Sequence, residues 1–360
     1  MISISESRAQ PLLEVRELVT QYRVNHRLWD ALRRKPRRTV RAVDNVSFKV
    51  SAGEFVALVG ESGSGKTSVA QSIMRMVPVT SGSIRFRGQE LTGLSNSKMR
   101  PIRREMQLIY QDPYDALDPR MRVRQTVSEP LEIHHRVASQ EREARVVEAL
   151  IATGLVPPSL YADRYPHELS GGQRQRVAIA AAMILRPKLL IADEPVSMLD
   201  VSVRVGVLNL FDEFRRQGLG ILMITHDLST AASYADRIAV MYLGRIVEEG
   251  PARDVVGDPQ HPYTRALISA VPNRDPRRPS DRRILRGEPP NPTDVPPGCR
   301  FHPRCPVRTQ ICDVVDPDLW QAESGSRHTA ACVRVGGAPA HLASDTKSLT
   351  GSPATIEHKA

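Results

Sequence analysis

Aromatic residues are scarce, 4% of the 360, and no cysteine occurs before position 299. No aromatics are interleaved with the basic residues, which argues against a nucleic-acid-binding module, because such modules stack bases on aromatic rings. Long apolar runs are missing as well. The longest, Val177 to Leu185, has nine residues, against the ~20 that a membrane-spanning helix needs. Met1 to Gln10 is polar and lacks the apolar stretch of a secretory leader. These absences lead to the expectation of a chain made in the cytosol and remaining there. In that reducing compartment the four late cysteines, 299, 305, 312 and 332, point away from disulfides and toward metal or cluster ligation.

What is present is ordinary for a globular protein of two to three domains: 41% hydrophobic and 25% charged residues. The formal charge of +10 suggests contact with something anionic. Part of the excess lies in Arg33-Arg34-Lys35-Pro36-Arg37-Arg38, read as a solvated loop, or more sharply as a membrane-surface contact.

The chain is organised around Gly60-Glu61-Ser62-Gly63-Ser64-Gly65-Lys66-Thr67. An apolar run, Phe55 to Val59, precedes it and a helical pattern, Ser68 to Met76, follows. That is G-x-x-x-x-G-K-[ST] in a strand–loop–helix context. Glycines let consecutive backbone N–H groups turn toward phosphate oxygens, and the helix adds its positive end. Lys66 is placed to reach the β- and γ-phosphates, and Thr67 to ligate Mg²⁺.

Strands are expected at 12–16, 43–50, 83–88 and 106–110, with 23–40 a surface loop. From about 122 to 185 the pattern is helical, including an amphipathic helix from Glu141 to Thr153. Leu189 to Ala192 is a buried strand ending in Asp193-Glu194, where Asp193 would hold Mg²⁺ and Glu194 would polarise the attacking water. A helix near 201–217, a strand from Ile221 to Thr225, another helix and two strands to about 248 complete an α/β core. Leu169-Ser170-Gly171-Gly172-Gln173 precedes a helix expected over Arg174 to Leu185. Its serine and two glycines form a second phosphate-binding helix end. Two such ends ~110 residues apart suggest that the halves of one site come from different subunits.

With these motifs in order, residues 11 to 250 resemble the nucleotide-binding subunit of an ABC transporter. The resemblance implies a P-loop NTPase, RecA-like α/β core with an antiparallel β subdomain and a helical signature subdomain at about 115–185. Gln111 matches the Q-loop glutamine, which also neighbours Mg²⁺, and Ser197-Met198-Leu199-Asp200 the D-loop, whose Asp200 crosses the dimer interface. His226 matches the switch histidine and Tyr22 the aromatic that stacks on adenine. Two positions depart from the pattern: Met198 where a small residue is usual, and Ala181 where arginine is usual. The family works as a dimer with two ATPs sandwiched head-to-tail, so an isolated monomer is expected to bind ATP but hydrolyse it poorly.

Gln111-Asp112-Pro113-Tyr114, Arg164 to Glu168, His261 to Leu267 and Gly298 to Pro306 resemble the oligopeptide/dipeptide importer ATPases, and the basic insertion resembles their second ATPase. The resemblance implies a paralogous ATPase partner, two transmembrane permease subunits, an extracytoplasmic solute-binding protein and a place on the cytoplasmic side of the plasma membrane. Peptide is the favoured cargo; nickel and glutathione importers share the subfamily. Residues 251–335 would form the importer-type C-terminal region, with 336–360 a disordered tail like residues 1–10. The resemblance favours a [4Fe–4S] cluster over Zn²⁺ at Cys299, Cys305, Cys312 and Cys332; their x5, x6 and x19 spacing selects neither, and four unligated thiols remain an alternative. An ABC-type ATPase acting on DNA or ribosomes is a rival, disfavoured by the single cassette and compact 60-to-169 spacing.

Overall fold

A computed structural model describes residues 10–23, 39–112, 117–134, 137–270, 287–288 and 290–339. The basic run at 33–38, Pro113-Tyr114, residues 1–9 and residues 340–360 lie outside the described residues. The chain divides into two units, residues 1–246 and 247–360.

Strands β1 (Leu13–Arg23) and β2 (Thr39–Val50) pair antiparallel, with Leu13 opposite Val50 and Arg23 opposite Thr39. Strand β3 (Phe55–Val59) follows and leads elsewhere; β4 (Ser81–Phe86) and β5 (Gln89–Glu90) complete a four-stranded sheet ordered β2-β1-β4-β5. Strand β2 begins at Thr39, four residues before the expected start. Its first residues alternate at the surface and are held by the backbone ladder to Tyr22 and Arg23, so composition alone hides them.

The second sheet of this unit is parallel, ordered β9-β3-β8-β7-β6, with β6 (Met106–Ile109), β7 (Leu189–Asp193), β8 (Gly220–Thr225) and β9 (Arg237–Tyr242). Every residue of β3, β7 and β8 is buried, as in a sheet covered on both faces. Because the strands are parallel, the residues after β3, β6, β7 and β8 emerge along one edge, where ligands bind in such sheets.

Helix α1 (Lys66–Ile73) starts inside the glycine-rich loop. Helix α2 (Asn96–Glu105) was absent from the expected elements; it buries only Met99 and Ile102 and carries Pro101 in its interior, so its few apolar positions and its proline hide it. Helices α3 (Val123–His134), α4 (Ser139–Ala152) and α5 (Gly171–Met183) surround their own core of Val127, Leu131, Leu150, Leu155, Val177 and Ala180. Two helices flank β8 in sequence, α6 (Val201–Arg216) and α7 (Leu228–Tyr234).

Strand β10 (Arg245–Pro251) leads into the second unit, where Glu248 and Glu249 pair antiparallel with β12 (Thr329–Ala330), and β12 pairs with β11 (Trp320–Gln321). Two short α-helices, α8 (Ala252–Gly257) and α9 (Pro262–Ala270), and single 3-10 turns at His302–Arg304 and Gln310–Asp313 accompany these strands. Buried Glu248 organises this unit. It accepts from the backbone N–H groups of Gln260 and His261 at 2.7 and 2.9 Å, and from His328 Nε2 at 2.7 Å.

Candidate nucleotide site

The loop after β3 curls over α1 with Gly63 at φ 79° and Gly65 at φ 105°. A Cβ on Gly65 would run into the Ala42 carbonyl, and one on Gly60 into the Met241 carbonyl, so both positions require glycine. Ser64 is buried, and Glu61, Ser62 and Gly63 form the more open rim. Lys66 fills its own loop: Nζ donates to the Gly60 and Glu61 carbonyls at 2.7 and 2.9 Å. Burial lowers its pKa, while Glu194, Asp193 and Glu61 oppose that shift. A phosphate arriving in the loop would give this ammonium a stronger partner than two neutral carbonyls.

Asp193 closes β7 and is buried. Burial raises its pKa; a hydrogen bond from Thr67 works the other way. Its Oδ1 is buried with no hydrogen-bond partner. An orphaned carboxylate oxygen beside a threonine hydroxyl is the donor set a hard divalent cation takes, so Asp193 and Thr67 fit Mg²⁺.

Glu194 adopts φ 47°, a left-handed conformation rare for glutamate. The turn is held by its N–H donating to the Ile224 carbonyl at 2.9 Å and by Ser197 Oγ donating to its own carbonyl at 3.0 Å. This places Glu194 Oε2 3.2 Å from Gln111 Nε2 and 3.1 Å from His226 Nδ1. Three residues from the ends of β6, β7 and β8 thus meet at one oxygen. Gln111 therefore contacts the carboxylate of Glu194 in this structure. The hydroxyl of Tyr22 lies 3.3 Å from Ser68 Oγ and 3.4 Å from Gln71 Oε1, which sets its ring beside α1.

The Leu169–Gln173 segment differs from the expected boundary. Helix α5 begins at Gly171, three residues early, with Ser170 as its N-cap. Ser170 Oγ accepts from the Gln173 N–H at 3.3 Å, and Gln173 Oε1 accepts from the Ser170 N–H at 2.9 Å. Gly171 and Gly172 therefore occupy the first turn, where N–H groups lack intrahelical partners. A Cβ on Gly172 would run into Val203, so the segment lies against the start of α6. Asp200 N-caps α6, accepting from the Val203 N–H at 3.0 Å.

Sequence reasoning did not foresee three supporting contacts. Arg174 donates through Nε and Nη2 to the Leu169 carbonyl at 3.1 and 2.7 Å; Ser197 holds the Glu194 turn; Asp227 caps α7 after His226. The Asp227-Leu228-Ser229-Thr230 run carried a readable helix-start signal.

In the second unit, Cys299, Cys305, Cys312 and Cys332 line one cavity of about 20 Å³ with His261 and Phe301. Burial pushes the Cys299 thiol up to about 12 and the Cys305 thiol up to about 11, and raises Cys332. Among the described residues, however, no three His, Cys, Asp or Glu side chains converge closely enough to hold a metal. The ligand set read from the four cysteines is gathered around one space but not formed. The space itself is little more than one water requires, so a four-iron cluster would need the thiols to move apart.

A phosphate loop, an orphaned acidic oxygen and a carboxylate held by glutamine and histidine define a P-loop ATPase. Residues 43–197 match the family model for ABC transporter, and residues 247–312 that for oligopeptide/dipeptide transporter, C-terminal region. The chain is 41% identical to the oligopeptide transport ATP-binding protein OppF of Escherichia coli, across 93% of this chain and 99% of that protein. It is 43% identical to the oligopeptide transport ATP-binding protein AppF of Bacillus subtilis, across 81% and 89%. The dimeric post-hydrolysis state of the ATP-binding cassette MJ0796, bound to ADP and Pi, superposes with a TM-score of 0.59 at 26% identity, covering 67% of this chain and 99% of that one. The chain belongs to the ABC transporter family, in its oligopeptide/dipeptide importer branch, and is an ATP-hydrolysing subunit. No helix among the described residues is long and apolar enough to cross a membrane.

Proposed function

We propose that this ATPase is one jaw of a two-subunit clamp whose closure on ATP drives peptide import through a membrane-embedded permease. The observation that carries the reading is the meeting of Gln111 and His226 on Glu194 Oε2, on the same sheet edge as Lys66 and Asp193.

In this reading the Gly60–Thr67 loop and Lys66 bind the β- and γ-phosphates, and Tyr22 stacks on adenine. Thr67 and Asp193, with Gln111 close by, hold Mg²⁺, which supplies charge neutralisation at the phosphates when bound. Glu194 accepts a proton from the water that attacks the γ-phosphorus; the bond to the bridging oxygen breaks, leaving ADP and phosphate. His226 and Gln111 orient the γ-phosphate and that water. Ser170, Gly171, Gly172 and Gln173 grip the ATP of a second subunit, with Asp200 crossing between the two. The dimeric MJ0796 cassette supports this pairing.

The partner is a paralogous ATPase, so the pair is a heterodimer on the cytoplasmic face of the membrane, with two permease subunits and an extracytoplasmic solute-binding protein. The names of OppF and AppF support oligopeptides over nickel or glutathione as cargo. The cysteine cavity is read as a soft-metal site that forms as the thiolates rearrange, inward around zinc or apart around an iron–sulfur cluster; metal analysis and a visible spectrum after anaerobic purification decide between them.

Glu194→Gln tests the whole. It is expected to abolish phosphate release while leaving ATP binding intact and trapping an ATP-bound dimer. Full turnover in that variant removes Glu194 from its assigned role.

A further inference from the structure

The segment from Glu194 to Arg204 leaves the hydrolytic carboxylate and comes back to the hydrolytic histidine. It begins at Glu194, whose carbonyl accepts from Ser197 Oγ. It passes through Leu199 and Asp200, and Asp200 caps α6. One turn into that helix, Arg204 reaches back and across: Nη2 lies 3.4 Å from the Leu199 carbonyl oxygen and Nη1 3.5 Å from Asp227 Oδ2. Asp227 directly follows His226. Its Oδ1 accepts from the Ser229 and Thr230 N–H groups at 2.9 and 3.2 Å, which fixes the backbone that carries the imidazole. His226 then meets Glu194 at 3.1 Å and closes the ring.

Two features show that the arginine is held in reserve. Both of its contacts sit at the long end of hydrogen bonding, and its buried Nε has no acceptor at all. A guanidinium with an unused donor between two loops answers a small shift of either loop with shorter, stronger bonds. The surface at this loop is also left bare: Met198 in the loop is 60% exposed, and Val201 and Val205, in the first turns of α6, are 75% and 46% exposed. On its inner side Val203 lies close enough to Gly172 that a Cβ there would run into it.

We propose that Arg204 is a positioning residue that couples the Ser197–Asp200 loop to His226, so that a second subunit pressing on the loop sets the histidine for turnover. The proposal rests on the two-subunit reading above. Arg204 reaches the Leu199 carbonyl and Asp227, and it acts on His226 through Asp227. Its loss therefore lowers the rate of the chemical step and leaves ATP binding alone.

The assembled transporter carrying Arg204→Met, which keeps the apolar stem and removes the fork, is expected to lose about 10- to 100-fold in kcat, with KM for ATP and melting temperature unchanged. Introduced into a His226→Ala background, the same change should cause no further loss, because the residue acts only through that histidine. Arg204→Lys and Asp227→Asn approach the contact from both ends if the methionine variant does not assemble. Each lowers kcat alone, and the double variant is no worse than the poorer single one. Wild-type kcat in Arg204→Met, a raised KM, or losses that multiply in the double variants overturn the coupling. Glu194→Gln separates the two failures. If it still hydrolyses ATP, the reading of the site falls; if it is dead while Arg204→Met turns over normally, only the coupling falls.

Discussion

His226 Nδ1 lies 3.1 Å from Glu194 Oε2, and this contact dictates which imidazole nitrogen carries the proton. A carboxylate oxygen only accepts, so Nδ1 is the donor and Nε2 of a neutral ring is left as an acceptor. An acceptor facing a phosphate oxygen repels it. For Nε2 to donate to the γ-phosphate, the ring must leave Glu194 with its proton moved, or take a second proton. Loading ATP is therefore expected either to release the His226–Glu194 contact or to add a second proton to the ring. His226→Ala is expected to lower kcat by about 10²- to 10⁴-fold with ATP affinity little changed, and His226→Gln to retain more activity because its amide supplies a donor. Nitrogen-15 chemical shifts of His226 should report the Nδ1–H form without nucleotide and a protonated Nε2 with a non-hydrolysable analogue. Wild-type turnover in the alanine variant, or an unchanged ring spectrum, contradicts this account.

Asp193 illustrates a site that costs stability until it is loaded. Its Oδ1 is buried without a partner, and burial raises the carboxyl pKa above the ordinary value. A buried orphan acceptor costs on the order of 1 kcal/mol or more. Asp193→Asn removes the charge without changing shape. It is expected to melt at an equal or higher temperature in chelator, yet to lose most of the stabilisation that wild type gains from Mg²⁺ with ATP. Thermal melts in chelator and in Mg²⁺ with ATP measure both. Full Mg²⁺-dependent stabilisation in the variant would remove Asp193 from the cation site.

How much of this could be read from the chain depends on where each signal resides. Gly60 to Thr67 was legible because its glycines answer a backbone demand, seen at Gly65, that no other residue meets. Asp193-Glu194 and His226 were legible because each ends an all-buried strand. The convergence of Gln111 and His226 on one oxygen of Glu194 was not, since it depends on the left-handed turn at Glu194 and on parallel register among β6, β7 and β8. The early start of α5 was hidden for another reason: Gly171 and Gly172 read as loop, yet the Ser170–Gln173 capping box holds them in helix. The four cysteines were found by count, and they do line one shared cavity, but ligand geometry lies beyond spacing.

His261 makes the second unit sensitive to acid. The ring is fully buried beside Phe301, and burial lowers its pKa to about 4, against the opposing pull of Glu248. Its Nδ1 accepts from the Tyr263 N–H at 3.1 Å at the start of α9, an arrangement that needs the neutral ring. In the unfolded chain the same imidazole takes a proton near 6.5. Between pH 6.5 and 4 the unfolded state thus binds a proton that the folded state refuses, so stability falls as pH drops through that window and is fully present above it. The interval corresponds to a loss on the order of 3 kcal/mol by pH 4. His261→Asn keeps an acceptor for the Tyr263 N–H but does not titrate. It is expected to be less stable at pH 7.5, because the ring's packing on Phe301 is lost, and to show a flatter decline down to pH 5. Trp320 fluorescence in a Trp29→Phe background would follow unfolding of this unit. Parallel pH dependences for the wild type and the His261→Asn variant would assign the acid sensitivity to other groups.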